Sequence, residues 1–527
     1  MAEEAGHELL QALAGTAGPP RVAVVGLGTS NRAVLRWLLA KGVPVIACDQ
    51  KSPQALEGYG ELARLPLELW LGPDYLAPVE RADLLILTPG IRKDLPQLEA
   101  AQARGARLTC ETDLFFSLCP APIVGITGTS GKTTTTTLVG EMLRRSGVPA
   151  LVGGNIGRPL IELAEHVDPA SWVVLELSSF QLELHRKSPQ VAVVTTLTPN
   201  HLDVHPSMEA YVAAKRRILE FQSLQDAAVL NWDQEAVRAL ASSTPAQVYW
   251  FSRERAVERG AFEADGALWL RLEPDRLPQR IVGVEEIRLP GVHNRANLLA
   301  AAVAASLAGA SLDGIREVAR TFRGVRHRLE PVGVVAGVEY INDSIATTPE
   351  RAVVGIRAMN DRPLHLIAGG YDKRLPFEAL AHEVVRSVQH LYLMGVTAPK
   401  IAEAVRREAR RTGLPGPAIH RVQDLEEAVA LARRLARPGE RVLLSPACAS
   451  FDQFANFEER GDRFRELVAQ LGSRGPAAAG GEEVHPLSTI PPIPPSRPLF
   501  RGARRPPPAP PRPGPTAGLI TSCGPSA

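Results

Sequence analysis

Short apolar runs alternate with amphipathic, helix-length segments along most of the chain. Each run has the length of a strand and ends in glycine or polar residues, as buried strands followed by turns do. Parallel strands that are buried on both faces read as continuous apolar runs, and helices connect them. The pattern therefore predicts α/β domains with mostly parallel sheets. We interpret the following segments as strands, some of them running into a turn: 21–28, 44–49, 83–90, 172–177, 191–197, 363–370, 390–395 and 441–447.

The length of 527 residues predicts roughly three domains. The pattern divides into a first unit at 1–114, a central unit at 115–324 and a third unit at 325–472. Proline and arginine dominate from 473 to 527, and such a segment cannot build a core. We predict a disordered or polyproline-like tail. An inert tail, a ligand for a polyproline-binding domain and a basic contact for an anionic surface are the three interpretations of it.

The composition is that of a globular protein, with 45% hydrophobic residues, 22% charged residues and a net charge of +2. The apolar runs are too short to span a membrane, and the acidic start lacks the basic region of a signal peptide. The five cysteines are scattered without paired or metal-binding spacing, which favours a reducing compartment and no structural zinc. The chain has no basic stripe outside the tail. We therefore expect a cytoplasmic protein without a membrane or nucleic-acid partner.

The stretch IVGITGTSGKTTTTT contains the most specific motif of the chain. An apolar run meets Gly125, Gly128 and Gly131, and Lys132 and Thr133 follow directly. Glycines let backbone N–H groups close around phosphate oxygens, and the helix that follows adds a positive dipole end. The lysine is expected to reach the β/γ-phosphates and the threonine to place its hydroxyl on Mg²⁺. The motif predicts a phosphate loop; the alternative is a plain glycine turn with a surface lysine.

A second glycine turn, GLGTSN at 26–31, is similar to a dinucleotide-binding fingerprint. It departs at the last position, where Asn31 stands in place of glycine. Asp49 ends the next strand, where a ribose hydroxyl is bound in such folds. This pattern is compatible with binding of NAD or of another ligand with a pyrophosphate. It is also compatible with a purely structural turn.

Polar residues follow several strands of the central unit. Glu176 ends a strand, and a carboxylate at such a position can hold Mg²⁺. His201, Asp203 and His205 cluster as in a metal site, although Mg²⁺ prefers oxygen ligands. Lys215 lies in a helical stretch, and its spacing alone predicts a surface lysine.

Candidate ligand-binding residues continue towards and beyond the third unit. Asn294 and Asn297 precede an alanine-rich helix at 297–310, and either could contact an adenine edge; Asn297 could equally cap the helix. His327 and Arg328 lie where a hinge between units is expected. Ligands collect at the carboxyl ends of strands in such folds, so we expect one site at the loops that follow strands of the third unit. These loops are 342–350, 369–377 and 445–461.

Together these motifs resemble those of the Mur ligases over about residues 20–470. GITGTSGKTTTTTL, GGNIG, LELSSFQLE, LPGVHNRAN and FRGVRHRLE are similar to motifs of the family as a whole. SPACASFDQFANFEERG is similar to the loop of the member that adds D-glutamate. The resemblance implies a Rossmann-like domain, a P-loop ATPase-like domain and a second Rossmann-like domain. It also implies an enzyme that joins D-glutamate to UDP-N-acetylmuramoyl-L-alanine with ATP, through an acyl phosphate, in peptidoglycan precursor synthesis. We expect a monomer.

The resemblance assigns roles to individual residues. Those implied for ATP are Gly125, Thr127, Gly128, Thr129, Ser130, Gly131, Lys132, Thr133, Thr134, Asn294, Asn297, Arg328 and Asp343. Those implied for the UDP-sugar are Gly28, Thr29, Ser30, Asp49, Gly90, Asn155, Ser178 and Gln181. Those implied for D-glutamate are Thr347, Lys373, Ser450 and Phe457. The catalytic set is Lys132, Glu176, His201 and Lys215, and two Mg²⁺ ions are assigned to Thr133, Glu176, His201 and Lys215.

Lys215 matches the lysine that the family carbamylates. Addition of CO₂ to the neutral amine replaces a cation by a carboxylate that can bind or orient Mg²⁺. The amine must be deprotonated for this reaction, and desolvation favours the neutral form.

The sequence departs from the family at three positions. Ile345 replaces the usual lysine, Thr348 the usual asparagine and Phe451 the common leucine. The first change removes a cation near an acidic substrate, although Lys373 still provides one. The alternatives are that the protein is a sister Mur ligase, a folylpolyglutamate synthase or a non-catalytic nucleotide-binding protein.

Overall fold

The computed structural model describes residues 10–154, 159–199, 205–289, 291–373 and 375–473. The strands form three sheets, one in each of three consecutive parts of the chain. We call these parts the N-terminal, central and C-terminal units. Helices cover the sheets, so the predicted α/β architecture with mostly parallel sheets is confirmed. The proline-rich tail lies outside the described residues.

The N-terminal unit has a five-stranded parallel sheet. Its strands are β1 (Val22–Val25), β2 (Val45–Asp49), β3 (Glu68–Leu71), β4 (Leu84–Leu87) and β5 (Arg107–Thr109). Its helices are α1 (Thr29–Ala40), α2 (Tyr59–Leu62), α3 (Pro96–Ala103) and α4 (Glu111–Leu118), with a helical segment at 10–14 and a 3₁₀-helix at Ala77–Arg81. The sheet order is β3-β2-β1-β4-β5. The chain direction across the sheet reverses at β1, which is where a doubly wound fold opens a crevice for a ligand.

The central unit has a nine-stranded sheet. Its strands are β6 (Ile123–Thr127), β7 (Ala150–Gly154), β8 (Trp172–Glu176), β9 (Val191–Val194), β10 (Ala227–Asn231), β11 (Gln247–Ser252), β12 (Gly260–Ala264), β13 (Ala267–Arg271) and β14 (Gln279–Gly283). Its helices are α5 (Lys132–Arg145), α6 (Ser179–Leu182), α7 (Met208–Glu220), α8 (Glu235–Arg238), α9 (Val292–Leu307) and α10 (Leu312–Thr321). Four 3₁₀-helices cover Leu160–Glu162, Ala164–His166, Ala239–Ser243 and Val284–Glu286.

The strands of this sheet follow the order β14-β13-β12-β11-β10-β9-β6-β8-β7. The part from β7 to β12 is parallel, whereas β12, β13 and β14 pair antiparallel. Asp265 and Gly266 connect β12 to β13 with positive φ of 49° and 69°, as a two-residue hairpin requires. The Asp-Gly pair was therefore a sequence signal for an antiparallel extension that the pattern of apolar runs missed.

The core of the central unit lies on both faces of its sheet. Buried side chains of α5 and the alanine-rich α9 form one layer with the strands. On the other face, buried side chains of α7 pack together with Phe115 and Phe116 of α4. Leu114 of the same helix packs into the N-terminal core, so α4 is shared by two units. The predicted boundary at residue 114 falls inside this helix.

The C-terminal unit has a six-stranded sheet. Its strands are β15 (Glu330–Val335), β16 (Val338–Asn342), β17 (Leu364–Gly369), β18 (Val388–Met394), β19 (Ala418–Arg421) and β20 (Arg441–Leu444). Its helices are α11 (Pro349–Met359), α12 (Glu378–Ser387), α13 (Ala398–Thr412), α14 (Leu425–Leu435) and α15 (Phe457–Ser473). The order is β15-β16-β20-β17-β18-β19, with only β15 antiparallel to its neighbour among the described strands.

Candidate active site

The phosphate loop connects β6 to α5. Gly128 and Gly131 have positive φ of 144° and 86°, which other residues rarely adopt. A Cβ atom on Gly131 would lie 2.3 Å from Oδ1 of Asn297, too close for any side chain. Gly125 lies inside β6 and not in the turn, and a Cβ atom there would lie 2.7 Å from Cγ of Pro189. The N–H groups at the start of α5 suit this turn to an anion.

Lys132 and Thr133 begin α5 and lie beside Glu176. Strand β8 ends at Glu176 and pairs with β6, so the carboxylate comes next to the loop. The hydroxyl of Thr133 donates to Oε2 of Glu176 at 2.7 Å. Nζ of Lys132 donates to the carbonyl oxygens of Gly128 and Thr129, both at 3.1 Å. Burial lowers the pKa of Lys132, and the charge of Glu176 opposes that shift.

Lys215 is buried, with only 2% of its surface exposed, because this side of α7 packs against the central sheet. The surface position predicted from helical spacing alone is therefore wrong. Its Nζ donates to the hydroxyl of Thr127 at 3.4 Å and lies 4.8 Å from the ring centre of Tyr211. The pKa of Lys215 is lowered to about 7, mainly by burial and in part by the charge of Lys132, against the opposing charge of Glu176. A lowered pKa favours the neutral amine, which is the form that acts as a nucleophile.

Two threonines after β9, which the sequence motifs did not single out, hold the phosphate loop. The N–H of Thr129 donates to the carbonyl of Thr196 at 2.7 Å, and the N–H of Ser130 donates to the Thr196 hydroxyl at 3.0 Å. The hydroxyl of Thr195 donates to the carbonyl of Ser130 at 2.6 Å. Their signal was the pair of hydroxyls near the end of the segment predicted as a strand at 191–197.

Asn294 and Asn297 lie in the first turns of α9, next to the phosphate loop. The helix begins at Val292 and its N-cap position is Gly291, so the alternative of Asn297 as a cap is wrong. Instead, Nδ2 of Asn297 donates to Oδ1 of Asn294 at 2.8 Å. Asn297 is buried against Gly131, so it supports the loop directly.

Arg328 connects the C-terminal unit to the phosphate loop. Its Nη1 donates to the hydroxyl of Thr133 at 2.5 Å. The residues on either side, His327 and Leu329, have positive φ of 61° and 43°. A positive φ at a residue other than glycine costs about 1 kcal/mol or more, so contacts from the surrounding structure must stabilise it. Glu330 provides one such contact, since its Oε2 accepts the N–H of His327 at 2.8 Å.

Asp343 provides the other support for this junction. Its Oδ1 accepts the N–H of Leu329 at 3.2 Å, and its Oδ2 accepts the hydroxyl of Ser445 at 2.8 Å. Burial raises the pKa of Asp343 to about 7, against the opposing effect of these hydrogen bonds and of Arg328. A carboxyl group that titrates near neutral pH therefore lies at the junction between the central and C-terminal units.

The three predicted loops of the C-terminal unit meet. Nζ of Lys373 lies 3.4 Å from the carbonyl of Thr347, to which it donates. Tyr371 donates its N–H to the carbonyl of Ala449 at 2.9 Å, and Ser450 follows directly. The carbonyl of Phe457 accepts the hydroxyl of Ser344 at 2.8 Å. The D-glutamate residues implied by the resemblance are thus brought to one end of this sheet.

Arg460 lies within the motif at 445–461 but received no role in the sequence analysis, although it organises these loops. It is 1% exposed, on helix α15. Its guanidinium donates to the hydroxyl and the carbonyl of Ser344 and to the carbonyl of Cys448, at 3.0, 2.9 and 3.1 Å. Burial lowers its pKa to about 10. The surrounding sequence, FEERGDRF, reads as a solvated helix face, so only its long-range contacts distinguish this arginine.

In the N-terminal unit, the residues implied for the UDP-sugar follow adjacent strands. Gly28, Thr29 and Ser30 follow β1, Asp49 ends β2 and Gly90 follows β4. Both carboxylate oxygens of Asp49 accept backbone N–H groups, from Leu27 at 2.7 Å and from Lys51 at 2.8 Å. The side chain of Asp49 therefore orders the turn after β1. In place of the missing third glycine, Nδ2 of Asn31 donates to the carbonyls of Val25 and Gly26.

Ser178 and Gln181 form a capping box at the start of α6, beyond Glu176. Oε1 of Gln181 accepts both the N–H and the hydroxyl of Ser178 at 2.9 Å. Two other implied site residues, Asn155 and His201, lie outside the described residues. In the ranges that the structure describes, no three or more His, Cys, Asp or Glu side chains are grouped to hold a metal ion. No helix in those ranges is both long and apolar enough to cross a bilayer.

A phosphate loop on a central sheet, with a carboxylate beside it and an arginine from a third unit, defines a three-domain ATP-dependent ligase. Residues 20–110 match the family model described as the N-terminal domain of MurD-like Mur ligases. Residues 126–305 match the Mur ligase middle domain, and 327–448 match the glutamate ligase domain of Mur ligases. The chain belongs to the Mur ligase family.

Curated relatives match nearly their full length. A UDP-N-acetylmuramoylalanine–D-glutamate ligase of Symbiobacterium thermophilum is 52% identical over 464 residues, which cover 87% of this chain and 100% of the relative. The ligase of the same name from Acetivibrio thermocellus is 44% identical over 453 residues, covering 86% of this chain and 96% of the relative. The one from Clostridium novyi is 44% identical over 451 residues, covering 85% and 96%.

Proposed function

We propose that this chain is a cytoplasmic, monomeric ligase that adds D-glutamate to UDP-N-acetylmuramoyl-L-alanine in peptidoglycan precursor synthesis. The γ-phosphate of ATP activates the alanine carboxylate as an acyl phosphate, and the amine of D-glutamate then displaces phosphate. One observation carries the proposal: Arg328 of the C-terminal unit donates to Thr133, which in turn donates to Glu176. The unit that supplies the amine is thereby in contact with the loop that binds ATP.

The ATP side of the reaction falls to the central unit. Lys132 and the N–H groups of the phosphate loop bind phosphate oxygens, and Asn294 and Asn297 contact adenine. The hydroxyl of Thr133 and the carboxylate of Glu176 are buried oxygen donors 2.7 Å apart, which suits a hard cation such as Mg²⁺. Bound Mg²⁺ would neutralise charge on the transferred phosphate.

Lys215 is proposed to carry a carbamate. Its buried amine, with a pKa of about 7, has a large neutral fraction available for CO₂. The carbamate would replace a cation beside Lys132 by an anion, which removes the repulsion between the two lysines. It would also add an oxygen ligand near Glu176 for a second Mg²⁺, together with His201.

The acceptor and the amino acid bind on either side of this centre. The UDP-sugar is assigned to the carboxyl ends of β1, β2 and β4 and to Ser178 and Gln181, with Asn155. D-Glutamate is assigned to Thr347, Lys373, Ser450 and Phe457, where Lys373 pairs with a carboxylate of the substrate. Closure of the C-terminal unit over the loop would exclude water from the acyl phosphate.

The function is tested by product analysis. The purified protein is incubated with ATP, Mg²⁺ and UDP-N-acetylmuramoyl-L-alanine, with one amino acid at a time, and the products are measured by mass spectrometry. We expect an added mass only with D-glutamate. Another amino acid as the preferred substrate would indicate a sister ligase, glutamate addition to a folate acceptor would indicate a folylpolyglutamate synthase, and ATP binding without turnover would indicate a non-catalytic protein.

The carbamate is tested by Lys215→Ala. We expect loss of activity, because the variant lacks the amine, and partial recovery with added short-chain carboxylates that occupy the vacated space. Arg216→Ala is the matched control, since Arg216 is an exposed cation on the same helix, paired with Glu220. Full activity of Lys215→Ala without added carboxylate would remove the carbamate from the proposal.

A further inference from the structure

The loop between β16 and α11 lacks the lysine that the family usually has at position 345. Two cations from elsewhere nevertheless converge on this loop. Lys373 donates to the carbonyl of Thr347 at 3.4 Å. Arg351, in the first turn of α11, donates through Nη1 to the carbonyl of Ile345 at 3.5 Å. The replaced position thus has a guanidinium in contact with its own backbone.

Arg351 is exposed, and no described carboxylate lies within ion-pair distance of it. Another exposed arginine on the same helix, Arg357, is paired: its Nε lies 2.7 Å from Glu383. A carbonyl uses one of the five N–H donors of a guanidinium, so Arg351 keeps donors for a further acceptor. Arg357 therefore stabilises the helix surface, whereas Arg351 is available to a ligand.

The charge of Arg351 acts on the proposed amino-acid site. It adds to burial in lowering the pKa of Lys373, and it opposes the effect of burial on the pKa of Asp343. Lys373 also has no described carboxylate within ion-pair distance. Two cations that form no ion pair with a described carboxylate suit a substrate with two carboxylates, and D-glutamate has two at neutral pH.

We propose that Arg351 is a specificity-determining residue that binds a carboxylate of the amino-acid substrate, in place of the lysine that Ile345 replaces. The inference rests on the proposed function, because it takes D-glutamate as the substrate. Arg351 and Lys373 then hold one carboxylate each, and a planar guanidinium does so with two parallel hydrogen bonds.

Steady-state kinetics of Arg351→Ala test the proposal. We expect the KM for D-glutamate to rise about 10- to 100-fold, which is the effect of losing a hydrogen bond between charged groups. The KM values for ATP and for the UDP-sugar should stay unchanged. Arg351→Lys should retain part of the affinity. Arg357→Ala is the matched control and should leave all three KM values unchanged.

The double variant Arg351→Ala with Ile345→Lys separates charge from structure. A lysine at position 345 should recover much of the affinity for D-glutamate, which it could not do if Arg351 only stabilised α11. An unchanged KM for D-glutamate in Arg351→Ala, a change in the KM for ATP alone, or no recovery in the double variant would each overturn the role of Arg351. If the unmodified protein does not use D-glutamate, the proposed function itself fails.

Discussion

Replacing Lys215 by methionine should make the protein more stable at pH 7 while abolishing its activity. The amine is buried beside Thr127 at the end of β6, and its pKa is lowered from an ordinary value of 10.5 to about 7. Methionine has a similar length and no charge, so the variant keeps most of the packing and loses the cost of burying the ammonium.

The size of the effect follows from the two pKa values. Between pH 7 and 10.5 the unfolded chain binds more protons at this lysine than the folded protein does, so the unfolding free energy of the unmodified protein rises with pH in this window. At pH 7 the charged amine destabilises the fold by about 4 kcal/mol, and at pH 9 by about 2 kcal/mol. The advantage of Lys215→Met should therefore shrink by about 2 kcal/mol between pH 7 and pH 9.

Urea denaturation followed by tryptophan emission measures this difference, in buffer free of CO₂ and divalent metal so that the amine stays unmodified. Arg216→Met is the control, because an exposed lysine or arginine has no buried charge to relieve, and its difference from the unmodified protein should not change with pH. The reasoning is refuted if Lys215→Met is less stable than the unmodified protein at pH 7, or if the difference between them is the same at pH 7 and pH 9.

Two further predictions concern groups that support the site. Gly131→Ala should lower the unfolding free energy by about 1–3 kcal/mol and weaken ATP binding, because the new Cβ would displace Asn297. Gly147→Ala is the control, since Gly147 has a similar positive φ of 72° but open space around it. Equal losses in the two variants, measured by urea denaturation and nucleotide titration, would contradict the clash. Arg460→Lys should lower the unfolding free energy by about 1–3 kcal/mol and raise the KM for D-glutamate, because one ammonium cannot reach all the acceptors that the guanidinium reaches around Ser344. If both values are unchanged, the hydrogen bonds of the guanidinium are dispensable.

The sequence alone determined the secondary structure that depends on local pattern. Buried parallel strands are apolar on both faces, so each predicted run corresponds to a strand that starts within two residues of the predicted start. The glycines at 128 and 131 of the phosphate loop specify a turn whose φ values other residues rarely adopt. The position of Glu176 at the end of a strand was predicted in the same way. These features depend on neighbours within a few residues along the chain.

Tertiary structure decided which of those residues meet and how they are charged. Helical spacing placed Lys215 on a surface, and packing of α7 against the central sheet buried it and lowered its pKa. Arg460 reads as a solvated residue, yet it is buried and donates to Ser344, 116 residues away along the chain, and to Cys448. The proposed role of Arg351 depends on Lys373, which the fold brings from another loop to the carbonyl of Thr347. Burial and electrostatic shifts come from groups far apart in the chain, so a local pattern cannot contain them.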